Sequence, residues 1–163
     1  MFTSLADGTI AAVVLKDAGS GYDAKKPPKI TLSADKGVKL KAVVKEGKIA
    51  AVQMDVTLGE VDRNLQAIED RLREAVSNGA SLVVFPECTV TGYCFESLDE
   101  ARPFAQPIPG PATERLSAIC SELNAFAVFG MLEQEGDRVF NSAVLTGSSG
   151  VIGTYRKTHL PFL

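Results

Sequence analysis

Ser81-Leu82-Val83-Val84-Phe85-Pro86-Glu87 carries five residues without charge, then a proline, then a carboxylate. A short apolar run of this kind, bounded by turn residues, reads as a strand covered on both faces. On either side of it the apolar residues change period. Upstream, Val61, Leu65, Ile68, Leu72, Ala75 and Val76 recur at helical spacing with charges between them. Thr57-Leu58-Gly59-Glu60 has the spacing of a capping box ahead of that helix, and Asn78-Gly79 stops it. Residues 49–54 read as a further strand. Downstream, Pro107-Ile108-Pro109-Gly110-Pro111 is a stiff connector whose last proline suits the first turn of a helix, and Leu116, Ile119, Cys120 and Leu123 form that helix's apolar stripe. Strands are then predicted over 125–132, 139–145 and 151–155, with Gly and Ser in the turns. Strand, helix, strand, helix, passing into consecutive strands, argues an α/β layered sandwich.

The 163 residues are 45% hydrophobic and 23% charged, with a mean hydropathy of +0.10. That profile belongs to a globular chain long enough for one good core or one and a half small domains. A net charge of −3 gives no basic footprint for nucleic acid. No run reaches the length of a membrane span. Three cysteines, Cys88, Cys94 and Cys120, are an odd and sparse set, which fits a reducing compartment better than a disulfide framework. No basic residue precedes the apolar run at 9–15, so no signal peptide is legible and the cytoplasm is the expected location.

Charge usage divides the chain. Residues 1–48 hold nine lysines, no arginine and five acids, whereas residues 49–163 hold seven arginines, one lysine and fifteen acids. Two segments are therefore expected, 1–47 and 48–163. The first alternates polar and apolar residues over 29–32 and 38–44, with a turn at Gly19-Ser20-Gly21-Tyr22, and reads as strands and turns. It resembles the Gly-Ser-Gly-Tyr β-repeats of phage-tail and surface proteins. Gly8-Thr9-Ile10-Ala11-Ala12-Val13 nearly repeats in Gly47-Lys48-Ile49-Ala50-Ala51-Val52, which makes pairing of the first copy along an open sheet edge one expectation.

The lone lysine of the second segment is Lys157, in Tyr155-Arg156-Lys157-Thr158-His159-Leu160-Pro161. An ammonium is a compact charge that aims at one developing anion, unlike the planar guanidinium fork. One lysine among eight basic residues must fall somewhere, so its place alone also reads as chance. Glu87 follows a strand end, where groups of α/β proteins project into the ligand crevice. A partly desolvated carboxylate there suits a general base, although surface loops carry such glutamates too.

Taken in order, Phe85-Pro86-Glu87, Thr91-Gly92-Tyr93, Ile108-Pro109-Gly110-Pro111, Phe140-Asn141-Ser142-Ala143 and the Lys157 motif resemble the nitrilase, or carbon–nitrogen hydrolase, superfamily. The likeness covers residues 48–163. It implies a four-layer α-β-β-α sandwich, of which these residues would be the N-terminal half, and amidase-type thiol hydrolysis of small non-peptide amides or nitriles. With one histidine and scattered cysteines no two ligands have zinc spacing, so no metal and no cofactor are expected, and the resemblance implies that the complete domain pairs into a homo-oligomer. By position, Glu87 would be the base, Lys157 the cation beside the tetrahedral intermediate, and Tyr93 and His159 substrate-binding residues.

The family's nucleophilic cysteine and a second, substrate-positioning glutamate would fall past residue 163, so the chain alone is expected to be inactive. Three thiols stand as substitutes. Cys88 is expected to point away from Glu87, as neighbours in extended backbone do. Cys120 lies on a helix's apolar stripe, where thiols are inert. Cys94 stays open, alone or paired with His159. Two other readings remain beside the enzyme: a non-catalytic binding or structural protein that uses the lysine-rich segment, and a chimera whose first strands cover sheet edges.

Overall fold

The computed structural model describes residues 48–159 throughout and, before them, the backbone of Phe2–Ser4 and Ile10–Val13. Those two short strands, β1 (Phe2–Ser4) and β2 (Ile10–Val13), pair antiparallel. The expected strands at 29–32 and 38–44 and the turn at 19–22 lie outside the described residues. The Ile10–Val13 copy of the repeat pairs with β1 and not with the edge of the larger sheet, as had been one expectation.

The larger sheet has five strands in chain order: β3 (Lys48–Ala51), β4 (Ala80–Val84), β5 (Phe126–Glu135), β6 (Arg138–Gly147) and β7 (Gly150–Arg156). The first three run parallel, and β5, β6 and β7 form an antiparallel meander. Helix α1 (Val61–Ser77) crosses from β3 to β4, and α3 (Pro111–Leu123) leads into β5. A short α2 (Leu98–Ala101) and a 3-10 turn (Arg102–Phe104) fill the connection between β4 and α3. The chain is thus an α/β protein in which two helices back one sheet, as in one half of a four-layer sandwich.

The core forms where the apolar stripes of α1 and α3 meet one face of the sheet. Leu65, Ile68 and Leu72 of α1 and Leu116 and Cys120 of α3 pack with Val83, Ala127, Phe129, Met131 and Val144. Between the helices, Arg73 forks onto Glu122 at 2.6 and 2.7 Å. That pair is exposed and adds specificity more than stability.

The opposite face differs from the expectation of a strand covered on both sides. Leu82 and Val84, with Val128 and Leu145 beside them, are only half-buried, because α1 and α3 pack against the other side. The apolar sequence records a demand for cover on both faces that these residues meet on one.

The start of α1 also departs from expectation. Glu60 caps it without any side-chain hydrogen bond. Instead the buried amide of Asn64 reaches back. Its Oδ1 accepts from Thr57 N at 2.9 Å, and its Nδ2 donates to Thr57 O at 2.7 Å and to Val90 O at 3.1 Å. One side chain thereby ties the helix entry to the loop after β4, where Thr89, Val90 and Thr91 are fully buried.

Truncating Ile68 to Ala should lower unfolding stability by about 2–5 kcal/mol, because it empties a fully enclosed site. Leu82→Ala, on the half-open face, should cost clearly less. Chemical denaturation of both variants checks the order.

Candidate active site

The carboxyl ends of the parallel strands β3, β4 and β5 point the same way, and the corner that carries Glu87 lies just beyond β4. Phe85 N donates to Val128 O at 2.8 Å and keeps the chain on β5 for one more residue. Pro86 then turns it. Cys88 adopts a left-handed backbone conformation (φ 48°), and Gly92 N closes the turn on Cys88 O at 2.8 Å. The turn returns to β5, where Val90 N donates to Gly130 O at 3.1 Å. Gly130 is what permits this contact. A Cβ there would lie 2.3 Å from Cys88 N and 2.8 Å from the Glu87 Cα, closer than real atoms approach.

Lys157 arrives from the far side of the sheet. It directly follows β7, and its N donates to Asn141 O at 2.8 Å, which extends the β6–β7 ladder by one bond. Glu87 Oε1 accepts from Lys157 Nζ at 2.8 Å and from Asn141 Nδ2 at 2.5 Å. The ammonium is mostly enclosed (side chain 16% exposed) and the carboxylate less so (40%). Burial works to lower the Lys157 pKa, but the hydrogen bond and charge of Glu87 outweigh it and raise it above the ordinary value. Lys157 is therefore an ammonium at neutral pH.

The preceding residue points to the other face and is riveted there. Arg156 donates to Glu133 through Nε at 2.9 Å and Nη2 at 2.5 Å, reaches Glu135 at 2.9 Å, and lies 3.9 Å from the centre of the Phe140 ring. Ser142 Oγ donates to the same Glu133 at 2.6 Å. The Arg156 hydrogen bond, opposed by burial and aided by Ser142, holds the Glu133 carboxyl below its usual range. A strand end fixed this firmly gives Lys157 a rigid root.

Of the other sequence candidates, Tyr93 stands 44% exposed near the pair. Burial first and the Glu87 charge second push its phenol up. His159 is exposed in the bend after β7, and among the described residues it makes no hydrogen bond.

The three cysteines are free. Cys88 does not alternate away from Glu87 on extended backbone, as the sequence suggested, because its backbone is left-handed. Its thiol is enclosed at 2% exposure, and burial followed by the Glu87 charge pushes it up to about 12. Cys120 is buried on α3 and pushed up to about 11 by burial. Cys94 is exposed on a left-handed turn (φ 73°).

In the sequence Asn141 is visible only within Phe140-Asn141-Ser142-Ala143, and Gly130 belongs to no motif. A glycine inside an otherwise apolar strand does signal a close backbone approach.

The chain belongs to the carbon–nitrogen hydrolase family, whose pattern matches residues 48–162. It is 43% identical over 114 residues to a nitrilase of Pyrococcus abyssi, covering 69% of this chain and 44% of that protein. To an omega-amidase of Homo sapiens it is 29% identical over 115 residues, covering 69% of this chain and 40% of the relative. The chain thus spans less than half the length of these relatives. The crystal structure of an N-terminal amidase matches 71% of this chain and 28% of its own with a TM-score of 0.63, at 24% identity, a likeness of fold.

Two outcomes test this geometry. Iodoacetamide at pH 8 should modify Cys94 and spare the enclosed Cys88 and Cys120, as read by mass spectrometry of peptides. The second concerns alkali. Because the folded Lys157 pKa lies above the reference 10.5, its pairing contributes fully below that pH and is lost as the pH rises through the folded value. The stability advantage over Lys157→Met, present at pH 8, should fade above pH 10.5 in denaturation at each pH.

Proposed function

We propose that residues 48–163 are the base-and-cation half of an amidase-type carbon–nitrogen hydrolase site acting on small non-peptide amides or nitriles, with residues 1–47 a separate β-segment. The observation that carries this is the 2.8 Å contact of Lys157 Nζ with Glu87 Oε1, two residues 70 positions apart that close onto one corner. Membership of the family and similarity to a nitrilase and an omega-amidase support the reaction class.

In this reading a thiol attacks the substrate's carbonyl carbon and gives its proton to Glu87. The carbonyl electron pair moves to oxygen, and the resulting oxyanion forms beside the Lys157 ammonium. Collapse expels the amine, which leaves with the proton held by Glu87. Water, deprotonated by Glu87, then cleaves the thioester to acid and free thiol. A fixed cation next to a forming oxyanion in an enclosed site is worth a factor of about 10²–10³ in rate. Positioned proton transfer adds about 10²–10⁴. Tyr93 and His159 border the substrate's approach. No cofactor enters these steps.

Neither enclosed thiol is placed to serve. Cys88 and Cys120 admit no substrate carbon, and the exposed Cys94 makes no hydrogen bond to Glu87 or Lys157 among the described residues; in this reading the nucleophile comes from outside the described residues and the 163 residues by themselves are inactive.

Assayed alone on a panel of small amides and nitriles, the chain should release no ammonia. Joined to the C-terminal remainder of the Pyrococcus abyssi nitrilase, it should release ammonia, with kcat reduced at least about 100-fold by Lys157→Met or Glu87→Gln. Release by the 163 residues alone that Glu87→Gln abolishes would overturn the inactivity. Full activity of the joined Glu87→Gln protein would overturn the assignment of the base.

A further inference from the structure

We infer that Asn141 is a positioning residue that holds Glu87 and Lys157 in one geometry and reserves the second carboxylate oxygen for proton transfer. The inference rests on Glu87 being the base, and it concerns what keeps that base in place.

Asn141 grips the pair with both of its ends. Its backbone carbonyl accepts from Lys157 N at 2.8 Å, which fixes the root of the lysine. Its side-chain Nδ2 donates to Glu87 Oε1 at 2.5 Å. An ionised carboxylate only accepts, so the amide must present its nitrogen to that oxygen. Lys157 Nζ donates to the same Oε1. One oxygen therefore receives two donors, while Oε2 has none among the described residues. Rotating the carboxylate would break both bonds together, and the oxygen left without a donor keeps its lone pairs free to take a proton.

The need for such a bracket follows from exposure. Glu87 sits on a loop corner with its side chain 40% exposed. A flexible carboxylate facing a flexible ammonium at a half-open site does not hold one arrangement by charge alone. Asn141 has two side-chain torsions and stands on β6, paired on both sides by β5 and β7, which makes it a stiffer anchor than any loop residue. Its amide makes no other hydrogen bond among the described residues. A neutral donor also suits the task, since it leaves Lys157 as the sole cation paired with Glu87 among the described residues. Aspartate at 141 would set a second anion against Glu87.

The measurement is the reactivity of Lys157 toward trace acetic anhydride at pH 9, read by mass spectrometry on the 163-residue chain. Glu87→Gln removes the anion that holds the ammonium, so Lys157 labelling should rise. Asn141→Leu keeps the shape but loses the donor, so the carboxylate swings free and labelling should rise by at least half of that increase. Val139→Ala, on the same strand face and away from Glu87, should leave labelling at the wild-type level. Circular dichroism establishes that each variant is folded, and Asn141→Ser takes the place of Asn141→Leu should the latter unfold. Wild-type labelling in folded Asn141 variants, with a rise in Glu87→Gln, overturns the inference and leaves the pair standing. No rise in Glu87→Gln overturns the pair and the proposed function with it.

Discussion

The meeting of Lys157 and Glu87 depends on strand register. Between β4, which delivers the carboxylate, and β7, which delivers the ammonium, lie β5 and β6, and each must be aligned for the two side chains to share an oxygen. Ladder pairing sets Gly130 opposite Ala143 and Ser142 opposite Arg156. A slip of one residue at either ladder would turn Lys157 to the helix side and Arg156 to the crevice. The helices guard against that slip, because the apolar residues of α1 and α3 accept only one face of β4, β5 and β6. Packing and site geometry are the same constraint seen from two sides of the sheet.

The two faces of β7 put its basic residues to different uses. On the helix side Arg156 engages two carboxylates and an aromatic ring at once, which its planar fork allows. On the other side Lys157 offers a single charge at the end of a flexible stem and meets one oxygen. Adjacent residues of like charge tolerate each other because strand geometry sends them apart and each has its own acid.

Much of this was legible in the sequence, for physical reasons that differ from element to element. The helix over 61–77 declares itself because a 3.6-residue period survives for several turns, and the strand before Glu87 because it is short, apolar and closed by proline. Lys157 stood out as the only ammonium among guanidinium groups, within a motif shared by a known family. What the sequence hid was tertiary. Thr57 and Glu60 had capping-box spacing, yet the entry of α1 is held by Asn64, whose partners are seven and 26 residues away. The strand over 80–84 demanded cover on both faces, but the pattern does not say which segment supplies it. Extended backbone would send Cys88 away from its neighbour, but the left-handed conformation at Cys88 is set by the turn and is invisible in the sequence. Asn141 lies in a strand whose outward and inward positions cannot be told apart until its partner strands are known.

The Glu87 corner rests on Gly130 with main chain against main chain. No side chain lies between the two segments, so no neighbour could swing aside to make room for a side chain at 130. The seat of Glu87 is thereby built from backbone on both sides, so the corner withstands exchange of the side chains around it but not of the hydrogen beneath it.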